Sequence, residues 1–406
     1  MIFKSAILND LALADVKVLD LGDSIACNYC TRLLADYGAD VIKIEVPGYG
    51  DPTRNVGPFP GDVPDSEMSG LFIHLNGNKR GVTLDITTSS GGRIFRDLVK
   101  RSDIVVEGFD PGYLATIGFS DEILREFNPS LVHTAITPFG QTGPYSGYKA
   151  TDVGIFAMSG RMYVHGLPDA MPLSYGPNVV WYQVATTAAV ATMGALYGSR
   201  LHGIGQMVDI AAIEALAGNV DNRPLFYEYT GLKTSRQRWP GGVPQGAYPC
   251  KDGYIVFGVG YDRYFQRLCE AMGRPDIYED PRWANSQARS DNSEEFEAIL
   301  IGWTMESTKD DIFELCQAHR VMCAPLLSFE ELFRNPQLVA REYFLENQYD
   351  DSGCFTETGA PFKMTESPWR FYRRAPLLGE HNAQVYCKEL GYSGDDLASL
   401  RASGVI

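Results

Sequence analysis

Val16-Lys17-Val18-Leu19-Asp20-Leu21, a helical run over residues 30–37, and Val41-Ile42-Lys43-Ile44-Glu45 together decide the fold. The first and last are short aliphatic runs suited to buried strands, and Gly38 suits the left-handed residue that closes a helix. Two strands joined by a helix must run parallel, because the crossover carries the chain back to the same edge of the sheet. The stretch is therefore one βαβ unit, and the chain is predicted to be α/β.

The pattern repeats outward. Residues 81–85, 103–107 and 131–136 read as further strands, with helices over 91–100 and 121–127 between them. A doubly wound, Rossmann-like sheet follows, although no GxGxxG fingerprint comes after its first strand. Residues 183–200 are rich in alanine with small side chains all round, which suits a helix packed inside a core or against a second subunit. Residues 224–249, with Trp239-Pro240-Gly241-Gly242 at their middle, read as linker and loop. A strand at 254–258 opens a smaller α+β region with helices near 264–272, 294–305 and 309–319. The expected organisation is a large Rossmann-like domain over 1–225, a linker and small domain over 226–334, and a return to the large domain over 335–406.

With 406 residues the chain exceeds the roughly 250–300 at which single cores stop growing, so two domains are expected. The apolar runs are short and broken by charges or glycines, so no segment is expected to cross a membrane, and Met1-Ile2-Phe3-Lys4 lacks the plan of a signal peptide. A cytoplasmic protein is expected. The net charge of −16 disfavours nucleic acid and anionic membranes as partners, while leaving room for a small anion held by a few local cations. Cys27 and Cys30 are the only close cysteine pair and lack a second pair or a histidine at metal spacing, so no metal is expected. His74, His133 and His165 are unclustered and are expected to be structural, with a cleft-lining role as the alternative.

A family resemblance rests on many short stretches taken together. They are Gly38-Ala39-Asp40-Val41-Ile42-Lys43-Ile44-Glu45, Gly50-Asp51, Asn76-Gly77-Asn78-Lys79-Arg80, residues 103–112, Asn128-Pro129, Phe139-Gly140-Gln141-Thr142-Gly143-Pro144, Gly203-Ile204-Gly205-Gln206, Asp252-Gly253-Tyr254 and Ala375-Pro376-Leu377-Leu378-Gly379-Glu380-His381. With these the chain resembles the class III CoA-transferases of the CaiB/BaiF type over nearly its whole length. The resemblance implies an interlocked, intertwined dimer, and a relay in which an aspartate carboxylate attacks a CoA thioester to form a mixed anhydride. CoA thioesters would be substrates, with no permanently bound cofactor.

Counting along the family pattern from Asp152, and again from Gly176, places the nucleophilic aspartate on Trp181. An indole has one N–H donor and no nucleophilic lone pair, so no catalytic residue is expected in this chain. The racemase branch of the family would need a histidine at Thr151. Asp23, Val46, Gly108 and Thr116 stand where family members have a histidine, an arginine, an asparagine and an arginine near CoA. Losing about two arginine contacts would weaken CoA binding by about 3–6 kcal/mol, and Asp23 would add repulsion. Lys79, Arg80, Phe109 and Lys149 match CoA-pocket positions, with solvated charge as the alternative for Lys79 and Arg80. Gly241, Gly242, Gln245 and Gly246 match a glycine-rich loop that closes over the thioester in a partner subunit.

These residues predict a non-catalytic subunit of a heteromeric CoA-transferase, paired with a paralogue that carries the aspartate. Succinyl-CoA is the expected donor. The expected acceptor is a carboxylic acid such as (R)-benzylsuccinate, on the analogy of a two-subunit branch of the family from anaerobic toluene degradation. Trp181, Tyr182, Tyr227, Trp239 and Tyr248 are candidates for an aromatic pocket. Two alternatives stay open at this point: a homodimeric acyl-CoA enzyme using Asp152 as base, and a non-enzymatic acyl-CoA-binding or assembly protein.

Overall fold

A computed structural model describes residues 11–218, 222–236, 243–348 and 354–406. The chain forms two compact units, one of residues 1–166, 171–234 and 344–406, the other of 167–170 and 235–343. The small unit begins at residue 235, within the stretch expected to hold linker and small domain, and it includes four residues from the loop before Pro172.

The large unit is built on six strands: β1 (Lys17–Asp20), β2 (Asp40–Glu45), β3 (Arg80–Thr83), β4 (Ile104–Glu107), β5 (Val132–Thr137) and β6 (Met207–Ala211). Their order is β3-β2-β1-β4-β5-β6, all parallel. Chain order reverses at the β1/β4 junction, which is where a doubly wound sheet opens a crevice beyond its carboxyl ends. The helix after β1, α1 (Ile25–Asp36), starts five residues before the sequence pattern suggested (25 against 30), because Ser24 caps it by accepting from the Cys27 N–H.

The sixth strand has no counterpart in the sequence reading. It follows helix α6 (Val179–His202) through Gly203 and Gly205, and a Cβ on Gly205 would lie 1.9 Å from the Leu131 carbonyl oxygen. Only glycine lets the chain pass this close to the start of β5. Helix α6 packs along α1 and against β5 and β6 and buries Val184, Ala185, Ala188, Leu196 and their neighbours. It is the one helix among the described residues long and apolar enough to cross a membrane, and its buried face lies in the protein core. Its outer face is apolar too. Thr186, Val190, Gly194, Tyr197 and Leu201 form one exposed stripe, with Val190 at 70%, Tyr197 at 68% and Leu201 at 60% exposure.

The small unit holds an antiparallel sheet of β7 (Gln245–Cys250), β8 (Gly253–Gly258) and β9 (Cys323–Pro325). Phe265, Phe296, Leu300 and Ile312 from its helices supply the core. Among them Arg289 is fully buried, 2.8 Å from Asp262 and stacked over the Phe265 ring.

Candidate active-site cleft

The C-terminal ends of β1, β4 and β5 open on a cleft of about 450 Å³. Asp23, Ser24 and Ile25 enter it after β1, Gly108 to Pro111 after β4, and Pro138 after β5. Lys149, Asn178 and Trp181 close it. An adjoining cavity of about 270 Å³, lined by Val46, Tyr49 and Leu84, shares Asp23, Pro52 and Phe109 with it. The larger lies at the switch point of the sheet, where such folds take ligands, and the smaller extends from it over the ends of β1, β2 and β3.

Trp181 sits in the first turn of α6, half-buried against the core. Asn178 precedes the helix with a left-handed backbone (φ 68°), which asparagine tolerates better than most residues, and its N–H donates to Asp152 Oδ2 at 3.2 Å. Asp152 opens helix α5 (Asp152–Met158) and does not line the cleft. Its carboxylate thus holds the backbone leading into Trp181.

Phe109 forms the wall between the two cavities. Lys149 is paired with Asp110 at the mouth, with both side chains largely exposed. Asp23 is solvent-exposed as a residue, yet the protein packed around its carboxyl raises its pKa, with Asp51 and Glu107 adding to the rise and Lys43 opposing it. The cleft is therefore mostly apolar and aromatic, with one cation already paired.

Lys79 and Arg80 are elsewhere. Lys79 is fully buried and spends its three N–H donors on Asp20 Oδ2 (2.9 Å), the Asn28 carbonyl (2.8 Å) and Asn76 Oδ1 (2.8 Å). No donor is left for a ligand. Arg80 begins β3 at the opposite, N-terminal edge of the sheet, where it grips Asp40 bidentately at 2.6 and 2.8 Å and pairs with Glu389. Neither residue is a solvated surface charge and neither lines this cleft.

Lys79, but not Arg80, belongs to a buried charge network that also holds Asp20, Lys43, Asp51, Glu45 and Arg54. Lys43 bonds Asp51 Oδ2 (2.6 Å), Asn28 Oδ1 (2.7 Å) and the Gly22 carbonyl. Arg54 holds both Glu45 oxygens at 2.7 and 2.8 Å and lies over the Phe72 ring. Burial alone would raise the Asp51 carboxyl, but Lys43 beside it brings it down to about 2. Burial lowers the Lys79 ammonium to about 8, partly opposed by Asp20, because Lys79 has one carboxylate against it where Lys43 has two. The signal for this network was present in the sequence as single charges inside apolar strands.

None of His74, His133 and His165 lines the cleft. His74 packs against Tyr29 and Tyr182, and burial with the Arg32 charge lowers its pKa to about 4. Among the described residues, no three His, Cys, Asp or Glu side chains are placed to hold a metal. Gln245 and Gly246 are the first two residues of β7, with Gly246 at φ 122°, whereas Gly241, Gly242 and Trp239 lie outside the described residues.

The family model for CoA-transferase family III matches residues 13–382. The chain belongs to that family. It is 34% identical over 377 residues to the succinate–glutarate CoA-transferase of Agrobacterium fabrum, covering 92% of this chain and 94% of that one. It is 33% identical over 405 residues to the succinyl-CoA:(R)-benzylsuccinate CoA-transferase subunit BbsE of Thauera aromatica, covering 96% and 97%. Among solved structures, a CaiB/BaiF family protein from Brucella suis superposes with a TM-score of 0.83 at 29% identity, covering 93% of this chain and 99% of that one. Family members use CoA thioesters as substrates, so the crevice at β1/β4 is the place to look for transferase chemistry.

Proposed function

We propose that this chain is the non-catalytic subunit of a heteromeric CoA-transferase that moves CoA from succinyl-CoA to a carboxylic acid, with (R)-benzylsuccinate as the acceptor and the cytoplasm as its setting. The observation that carries this reading is Trp181, an indole lining the cleft at the position where the family relay needs an ionised carboxylate. Among the described residues, the carboxyls that line this cleft are Asp23 and Asp110, and Asp110 is paired with Lys149. On this reading a paralogous partner supplies the aspartate that attacks the thioester carbonyl, releasing CoA thiolate and leaving an acyl anhydride for that thiolate to reopen.

The apolar outer stripe of α6 and helix α7 (Arg223–Thr230), in which no residue is buried, support assembly with such a partner in an interlocked pair. Gly241, Gly242, Gln245 and Gly246 are assigned to the partner's thioester, and Phe109 and Lys149 to whatever acyl-CoA contact this chain keeps. The relative named as a benzylsuccinate CoA-transferase subunit supports both the heteromer and the acceptor.

The test is to assay transfer from succinyl-CoA to (R)-benzylsuccinate with the purified chain alone and after co-expression with a homologue bearing aspartate at the Trp181 position. Turnover is expected only in the mixture. Turnover by the chain alone overturns the reading. Titration calorimetry with succinyl-CoA is expected to show weak or no binding until the partner is added.

A further inference from the structure

Behind the Phe109 wall lies a buried charge cluster that the transferase reading leaves unused. His133, in β5, is 3% exposed. Its Nδ1 is 3.3 Å from Asp121 Oδ1 in helix α4 (Asp121–Phe127), and its Nε2 faces Glu107 Oε1 at 3.8 Å with no other partner among the described residues. Glu107 ends β4, and its other oxygen, Oε2, accepts the backbone N–H of Phe109 at 2.6 Å. The charged groups facing the imidazole are thus Glu107 from β4 and Asp121 from α4, with Arg125 on the far side of Asp121 at 2.7 Å. On the β6 side the register partner is Met207, which brings no charge.

The loop this cluster holds has little freedom. A Cβ on Gly108 would meet Cys27 Sγ at 2.8 Å, so the chain is pinned to α1 on one side and to Glu107 on the other just before Phe109 enters both cavities. A neutral imidazole can donate from only one nitrogen, whereas an imidazolium faces both carboxylates with a donor.

We infer that His133 and Glu107 are positioning residues for the ligand cleft, a buried imidazolium fixing the Glu107 carboxylate, which in turn fixes Phe109 at the wall between the two cavities. The inference rests on the cleft being the ligand site of the transferase, but the clamp itself exists without ligand or partner. Burial alone would depress the imidazole, and the hydrogen bonds and charges of Asp121 and Glu107 outweigh it and carry the pKa up to about 9. At neutral pH the clamp is closed, and it loosens as the proton leaves.

The test uses the full chain labelled with ¹⁵N-phenylalanine, its Phe109 amide resonance identified by its absence in Phe109→Tyr. Between pH 6.5 and 10 the Phe109 amide is expected to shift with a midpoint about 9, and to lose that step in His133→Gln. Asp121→Asn, which removes one of the two carboxylates, is expected to move the midpoint downward by about one unit or more. An amide that does not titrate in the unsubstituted chain, or whose step persists unchanged in His133→Gln and Asp121→Asn, overturns the inference. Because this readout needs no acyl-CoA and no second subunit, it can fail while the heteromer assay succeeds, and the reverse.

Discussion

The Asp152 carboxylate accepts the Asn178 backbone N–H at 3.2 Å, three residues before Trp181, so an acid that looks available for catalysis is committed to the entry of helix α6. Asp152→Ala is expected to cost about 1–2 kcal/mol of unfolding free energy, and Asp152→Asn less, since the amide keeps an acceptor. Chemical denaturation of the three proteins measures both. An assembled enzyme that loses turnover in Asp152→Asn without losing stability would restore the base reading.

Trp181 packs against the core without being fully enclosed. Trp181→Phe in the assembled enzyme is expected to leave kcat within about twofold, because the chemistry is assigned to the partner, while Trp181→Ala lowers stability by about 1–3 kcal/mol. Steady-state assays and thermal unfolding separate the two effects.

Lys79 balances Asp20 in a site with no water-exposed surface on either side chain. Lys79→Met leaves the Asp20 carboxylate buried with one fewer cation and is expected to destabilise the chain by about 3–5 kcal/mol. The double variant Lys79→Met/Asp20→Asn should recover part of that loss, as measured in a double-mutant cycle. A Lys79→Met chain of native stability would show that the network is not what holds this corner of the sheet.

Lys149 and Asp110 make the contrasting case, since both are mostly exposed. Lys149→Ala is expected to change stability by less than about 0.5 kcal/mol, and to weaken any anionic ligand in the cleft of the assembled enzyme in a salt-dependent way. Unfolding curves and KM at two ionic strengths test the pair of statements.

Stability should also depend on pH through two buried groups of opposite sign. His133 is raised to about 9 from an ordinary value near 6.5, so the folded chain binds its proton more tightly. The stability it contributes is complete below pH 6.5 and is lost as pH rises toward 9, by about 3 kcal/mol at most. Lys79, lowered to about 8, acts oppositely, its penalty lifting as pH rises from about 8 toward 10.5. The His133 slope is therefore cleanest between pH 6.5 and 8, and should vanish there in His133→Gln.

Much of the architecture was legible because period and punctuation carried it. The aliphatic runs around Leu19, Ile42, Val105 and Val132 became β1, β2, β4 and β5. The strand Met207–Ala211 escaped because it follows a long helix across a glycine turn whose need for Gly205 appears only when Leu131 is placed beside it. At the site, Phe109, Lys149 and Trp181 do come together in one cleft. Lys79 and Arg80 did not join them, since a sequence shows the charge of a lysine or arginine but not Asp20, Asp40 and Glu389, which arrive from up to 309 positions away to neutralise it. The Glu107–Phe109 bond was equally hidden, being a side chain folded back onto its own loop.

The outward stripe of Thr186, Val190, Gly194, Tyr197 and Leu201 has a consequence for the cell that makes this chain. Chaperones and proteases act on uncovered apolar surface of this kind. On the proposed assembly, a surplus of the chain over the partner that shields that helix would be held or degraded, so its abundance would follow the supply of its cover.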